Sequence, residues 1–445
     1  MRDAGLPPGW REAKLGELGS FSRGRGGTKA DEDPNGMPCI RYGDLYTHHD
    51  CIVRSFASSI SSASASSYTR LQHGDVVFAG SGETFEEIGK AAAYCGDAPG
   101  YAGADTIIFR PDPDLLPQFA GYAVNCDIAN AHKSRMGQGS SVIHIGSDHL
   151  AQMPFKLPPR EQQQRIAEIL STVGEAIEQT EALIAKTQQI KAGLMRDLFT
   201  RGVTADGQLR PPRDEAPLLY KESSLGWIPK EWAIRPLREC LFENPTNGIY
   251  KPADQIGRGT LLVGQTSFTE ERSVDFSLAR RAVIGVDELR RYSLAQGNIL
   301  LSRVFATLEG VGQPTLVPAL PEPAVYESNM MRLRVDTSTI KPRLLFEWLR
   351  AHRARRLIVA GANASNQSSI NQQVLNPLPV LVPQSHEQER MLSLIEGDDE
   401  RAACERESLI KLRGVKIALM QDLLTGRVPV AVETKPKTGK VAANV

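Results

Sequence analysis

A few places in this 445-residue chain carry side chains of a kind that does chemistry. His48, His49 and Cys51 stand close enough to begin a zinc site, but no second ligand pair follows at a recognised spacing. Metal chemistry is therefore not expected. Phe78-Ala-Gly80-Ser-Gly82 fits F-x-G-x-G, a cofactor-loop pattern. Asn244-Pro245 and Asn376-Pro377 faintly resemble the N-P-P-[YF] element that orients a target amine in adenine methyltransferases. Neither carries the second proline or the aromatic residue that would stack on a flipped base. The glycines also lie in a strand-turn segment shared with the second half of the chain, where the pattern does not recur. No G-x-x-x-x-G-K-[ST] is present, which removes an ATP-driven motor from the readings. Neither a self-contained methyltransferase nor a fused nuclease is expected.

What remains is recognition chemistry. Arginine and amide side chains make bidentate contacts to guanine and adenine edges, whereas lysines more often meet phosphate. Arg23, Arg25 and Lys29 form a basic loop around Gly24, Gly26 and Gly27, although a solvated turn would look the same. Lys133, Arg135, Gln138, Ser140 and Ser141 make a polar stretch late in the first half. Arg353, Arg355, Arg356, Asn366, Gln367 and Ser368 occupy the same zone of the second half, and Arg303 stands where the first half has Gly80. These are the candidate DNA-contacting residues. Lys+Arg and Asp+Glu both number 52, so net charge is zero. That balance argues against a protein that neutralises many phosphates by itself.

These side chains need a scaffold, and the scaffold repeats. Pro7-x-x-Trp10 with Leu15 and Glu17 recurs as Pro229-x-x-Trp232 with Leu237 and Glu239, 222 residues on. Gly74-Asp-Val-Val-Phe78 recurs as Gly297-Asn-Ile-Leu-Leu301 at 223. Ile145, Leu150, Pro154 and Pro158 match Ile370, Leu375, Pro379 and Pro383 at 225, as Leu194-Met-Arg-Asp197 matches Leu419-Met-Gln-Asp422. Preserved order and a three-residue drift mean two copies of one module, each too long for a solenoid unit.

Each module begins with about 155 residues of mixed character. Short β-branched and aromatic runs, such as 75–78, 106–109 and 298–301, read as strands, and 117–125 and 342–356 read as helices. A long proline-free segment follows. In 161–199, Ile166, Leu170, Val173, Ile177, Ile184, Leu194 and Leu198 recur at steps of four and three, with Thr180, Thr187 and Lys191 on the same seam. In 387–424 the seam is Met391, Ile395, Leu409, Leu412, Leu419 and Leu423, interrupted by Asp398 and Glu405. Sustained heptads predict two long helices packed on each other, ended by Gly202 and Gly426. Arg165, Glu168, Glu175, Glu178, Glu181 and Lys186 fall off the seam and read as solvated.

A helix of about 40 residues spans roughly 60 Å. If the second helix packs on the first, it must run back toward the first domain. The expected fold class is therefore α+β, with two globular recognition domains related by a pseudo-twofold and joined by two long antiparallel coiled-coil helices. The expected boundaries are 1–157 for the first recognition domain, 158–202 for the first spacer helix and 203–225 for a linker. They continue with 226–383 for the second domain, 384–426 for the second helix and 427–445 for a tail. A coiled-coil scaffold with no DNA role is the alternative, and the basic and polar loops of both domains argue against it.

Six scattered cysteines (Cys39, Cys51, Cys95, Cys126, Cys240, Cys404) lack any C-x-x-C pair and read as reduced thiols. Residues 1–10 lack the basic and apolar regions of a signal peptide, and no apolar run approaches membrane-spanning length. A cytoplasmic location and no membrane partner are expected.

Together these features resemble the DNA specificity subunits of Type I restriction-modification systems. The resemblance rests on the paired Pro-x-x-Trp starts and on the Gly-Asp-Val-Val-Phe strand. It rests also on the approaches Pro154-Phe-Lys-Leu-Pro-Pro-Arg-Glu161-Gln162 and Pro379-Val-Leu-Val-Pro-Gln-Ser-His-Glu387-Gln388, and on the Leu-Met-x-Asp-Leu-x-Thr endings. It implies that each globular domain is a target recognition domain for one half of a bipartite, asymmetric DNA site. It implies a non-catalytic chain on which two adenine-N6 methyltransferase subunits dock, those partners holding S-adenosylmethionine, while this chain holds no cofactor. Restriction subunits, ATP-dependent translocase-nucleases, would join that complex. Shared phosphate contacts would then account for the zero net charge.

Overall fold

The computed structural model describes residues 6–362 and 368–431. The chain divides into two compact units, one of residues 1–182 with 406–445 and one of residues 183–405. The helices Arg160–Leu198 and Ser385–Leu424 are each continuous, and each contributes one end to each unit.

The first unit is built on a five-stranded sheet. Its order is Gly19–Arg23, Thr106–Pro111, Val76–Ala79, Ala91–Tyr94, Ile52–Val53. The two central strands are buried on both faces, which is why they read as unbroken apolar runs. A four-stranded sheet that includes Glu32–Ile40 lies beside it. Arg11–Lys14 pairs antiparallel with Pro154–Leu157, tying the start of the domain to the approach of the long helix.

The second unit repeats this plan. Its main sheet runs Thr246–Asn247, Met330–Leu333, Ile299–Ser302, Pro314–Leu316. Phe78 faces Ile107 in the first sheet, and Leu301 faces Met331 in the second. Ala233–Pro236 pairs with Pro379–Val382, as the corresponding strands do in the first unit. In both units a two-residue strap follows the central strand: Ser81–Gly82 pairs with Ile143–His144, and Val304–Phe305 with Ser368–Ser369.

Within each unit the long helices run antiparallel. In the second, Thr187 bonds Glu405 at 3.1 Å and Lys191 pairs with Asp399. In the first, Arg413 bonds Glu181 at 2.7 Å. The expected seam is buried or half-buried throughout, but its ends have a second role. Ile166, Leu170 and Leu423 belong to the core of the first globular domain, and Leu198, Met391 and Ile395 to that of the second. Val173, Ile177, Ile184, Leu194, Leu409, Leu412 and Leu419 are only half-buried. The helices are thus walls of the domains as well as rods.

Gly202 and Gly426 end the helices with φ of +61° and +76°, the left-handed turn that favours glycine. A side chain there would also collide: a Cβ on Gly202 would lie 2.6 Å from the Trp232 ring, and one on Gly426 2.5 Å from Pro7.

Residues 203–225, read as a linker from composition, are packed against the second unit. Val203 and Tyr220 are buried, and Arg210 reaches the buried Glu387. Residues 432–445, most of the expected tail, lie outside the described residues.

Candidate DNA interface

The paired approaches place two side chains identically in each unit. Gln163 takes the Leu116 N–H at 2.8 Å and donates to the carbonyls of Asp114 and Pro158, both at 2.9 Å. Gln388 takes the Lys341 N–H at 2.8 Å and donates to Thr339 at 3.0 Å and Pro383 at 2.9 Å. One position earlier, Gln162 accepts the Trp10 indole N–H at 2.7 Å, and Glu387 accepts that of Trp232 at 3.0 Å. The 225-residue offset therefore holds through the approaches, pairing Gln162 with Glu387 and Gln163 with Gln388. These glutamines and tryptophans lock helix to domain, which explains why the motif occurs twice.

The basic loop of the first unit is open. Arg23 and Arg25 are exposed, and the Lys29 side chain falls outside the described residues. Its far end is pinned: Asp31 accepts Thr28 N–H at 3.0 Å and Thr28 Oγ1 at 2.8 Å, bonds that pull its carboxyl down to about 2. The 135–141 stretch is also open, with Arg135, Gln138, Ser140 and Ser141 exposed. Gln138 exchanges backbone bonds with His144 at 2.9 and 2.7 Å, so the loop is a short hairpin tip.

Lys133 is a correction. It is 1% exposed and donates to the carbonyls of Gly89 and Val124, both at 2.9 Å. Burial pushes its ammonium down to about 7. It braces the domain interior and cannot reach DNA.

In the second unit the strap brings Arg303 and Ser368 together. The Ile370 N–H donates to the Arg303 carbonyl at 3.0 Å, as Ile145 does to Gly80 in the first unit. Arg303 turns its Nε onto the Ser328 carbonyl at 3.1 Å, and Ser368 is buried within the strap. Ser368 is therefore a second correction, since strand pairing and burial remove it from a surface role. Arg356 is exposed, while Arg353 and Arg355 are half-buried. Asn366 and Gln367 lie outside the described residues.

The side chains that suggested other chemistry are taken up in packing and pairing. Phe78 is buried in the sheet, Gly80 donates its N–H to Asp105 at 2.7 Å, and Gly82 is strand-paired to Ile143. Among the described residues no group of three His, Cys, Asp or Glu could hold a metal. Cys51 is buried, which pushes its thiol up to about 12, and His48 bonds Ser55 at 3.0 Å. Asn376 donates to Asn244 at 3.3 Å, so the two Asn-Pro elements brace each other. Sequence reasoning missed a polar cleft of about 440 Å³ in the first unit, lined by Arg70, Gln72, His73, Tyr94 and Asp97 among others. It is assembled from separate segments, and no local pattern marks it.

Residues 7–189 match the family described as Type I restriction modification DNA specificity domain. The match lies within the first half of the chain, and over that span the chain is similar to this family. It is 24% identical over 307 residues to the Type I restriction enzyme MjaVIII specificity subunit of Methanocaldococcus jannaschii, covering 66% of each chain. That is just under two thirds of the relative's length. It is 22% identical over 325 residues to the EcoKI specificity subunit of Escherichia coli K12, covering 72% of this chain and 67% of that one. Two solved structures share the fold. One comes from work on complex assembly and conformational transition of the type I R-M system (TM-score 0.57, 16% identity, covering 95% of this chain and 100% of that one). The other is the S subunit from M. genitalium (TM-score 0.55, 13% identity, 95% and 98%). No described helix is long and apolar enough to cross a membrane.

Proposed function

We propose that this chain reads a bipartite, asymmetric DNA sequence, one half-site per globular domain, and performs no catalysis itself. The observation that supports this best is the duplicated module whose polar tips differ between copies. Repeated readers on one frame select half-sites at a set separation, and unlike tips select unlike halves. Arg23, Arg25, Arg135 and Gln138 in the first unit, and Arg356 in the second, are the exposed candidates for base or phosphate contact.

Similarity to specificity subunits supports a reading of the partners. Two methyltransferase subunits, holding S-adenosylmethionine, dock along the long helices and modify adenine N6 in each half-site. Restriction subunits complete the complex where they are present. The exposed Leu183 and Ile190, and Ile410 and Ile417, repeat at seven-residue spacing on the helices and offer apolar surface for such docking.

Selection of bound duplexes from a random pool by this chain, alone and with its modification subunits, tests the reading. Two short, unlike motifs at a fixed gap are expected. A single continuous motif, or a palindrome, would contradict it.

A further inference from the structure

Both units interrupt one strand at the same place. In the first, Glu32–Ile40 lies between Ser58–Ile60, its antiparallel partner, and Tyr101–Ala102, its parallel partner. In the second, Ile256–Val263 lies between Arg280–Ala282, antiparallel, and Ala324–Tyr326, parallel. Glu32 and Met37 both face Ile60, so residues 33–36 leave the ladder. Ile256 and Thr260 both face Ala282, so residues 257–259 leave it. Met37 and Thr260 stand 223 residues apart, and Ile60 and Ala282 stand 222 apart, which is the offset of the internal repeat. A bulge re-aims the side chain it extrudes, and this bulge occurs twice.

The extruded residues differ. They are Asp33-Pro-Asn35-Gly36 in the first unit and Gly257-Arg258-Gly259 in the second. Asn35 and Arg258 are both exposed. Gly257 and Gly259 take φ of +111° and +98°, so Arg258 is carried between two left-handed residues. The backbone around each tip is nonetheless held. Arg281 donates Nη1 to the Gly259 carbonyl at 2.7 Å while it pairs with Glu322. The Asp33 carboxylate takes the Asn35 N–H at 3.0 Å, and the Asp33 carbonyl takes the Ser59 hydroxyl at 2.6 Å. The arginines of the adjoining strand are neutralised, Arg280 by Glu327 and Arg281 by Glu322. The side chains of Arg258 and Asn35 make no ion pair or hydrogen bond among the described residues.

Each tip thus presents one free, planar, hydrogen-bonding group. A guanidinium makes a bidentate contact to O6 and N7 of guanine, and a carboxamide makes one to N6 and N7 of adenine. Phosphate binding draws on positive charge. Asn35 carries none and stands beside Asp33, so charge is not what the two tips share. We propose that the two bulges are base-reading tips, Arg258 reading a guanine in the half-site of the second unit and Asn35 an adenine in that of the first. The inference rests on the DNA reading above and names the residue that sets one base in each half-site.

Selection of bound duplexes from a random pool, by the full chain with its modification subunits, tests this. Arg258→Ala loses a guanine preference at one position of one half-site, worth about 5- to 150-fold there. Asn35→Ala loses an adenine preference at one position of the other half-site. Both side chains are exposed, so the melting temperature of each variant without DNA holds. Salt dependence separates base from backbone. The log–log slope of affinity against salt stays at the parent value when a base contact is lost, and falls by about 1 when a phosphate contact is lost. Weaker binding to all sequences alike, with the shallower slope, overturns the base-reading role. An unchanged motif in either variant, with duplex still selected, overturns the tips and spares the DNA reading. Both variants altering the same half-site overturns the assignment of one tip to each half. Failure of the parent chain to select any motif removes the DNA reading itself.

Discussion

Lys133 shows how far a side chain's type can mislead about its place. Read in sequence it is one more cation in a polar stretch. In the fold its four-carbon stem passes under the Gly89 turn, and its ammonium satisfies two carbonyls that water cannot reach. Its folded value of about 7 lies below the ordinary 10.5. Between those values the unfolded chain holds the proton more tightly, so stability rises with pH across that window. Lys133→Met should flatten the rise from about pH 7 to 10, read by urea denaturation at a series of pH values. Equal slopes for the two proteins would contradict the burial argument. Arg303 and Ser368 carry the same lesson in milder form, because strand pairing in the strap was not legible from residue type. The exposure of Arg23, Arg25 and Arg135 was legible, since glycine-rich or polar tips stay in solvent whatever the core does.

At the scale of elements, heptad periodicity located both long helices to within a few residues. It shows which stripe of a helix is apolar and leaves open what covers that stripe. Hence the seam was visible, whereas the membership of Ile166 and Met391 in the domain cores was not. The role of the two approaches was hidden for a related reason. The 225-residue offset pairs Gln163 with Gln388, and only hydrogen bonding shows what they hold. Among the polar seam residues, Glu405 is buried with one oxygen unpartnered and the other on Thr187 and Arg401. Such a buried charge costs desolvation that its bonds only partly offset. Thr187→Val with Glu405→Leu should raise the stability of the helix pair by about 1–4 kcal/mol, measured by thermal denaturation. A lowered melting temperature would show that the polar pair contributes net stability.

At the scale of the whole molecule, the internal repeat was the most legible feature and the most consequential. Matching strands, straps, glutamine locks and helix-ending glycines recur in both units, so duplication is a property of the fold as well as of the letters. The copies also differ: the main sheet has five strands in the first unit and four in the second, and the exposed polar tips carry different side chains. A module that keeps its frame and changes its tips is suited to reading a new half-site without disturbing the other. Adenine methylation therefore gives the most direct test. Residues 1–157 are exchanged for those of another family member, and the methylated sites of the host genome are mapped before and after. The account predicts that one half-site changes while the other half and the gap between them stay as they were. A change in both half-sites, or in neither, would contradict it.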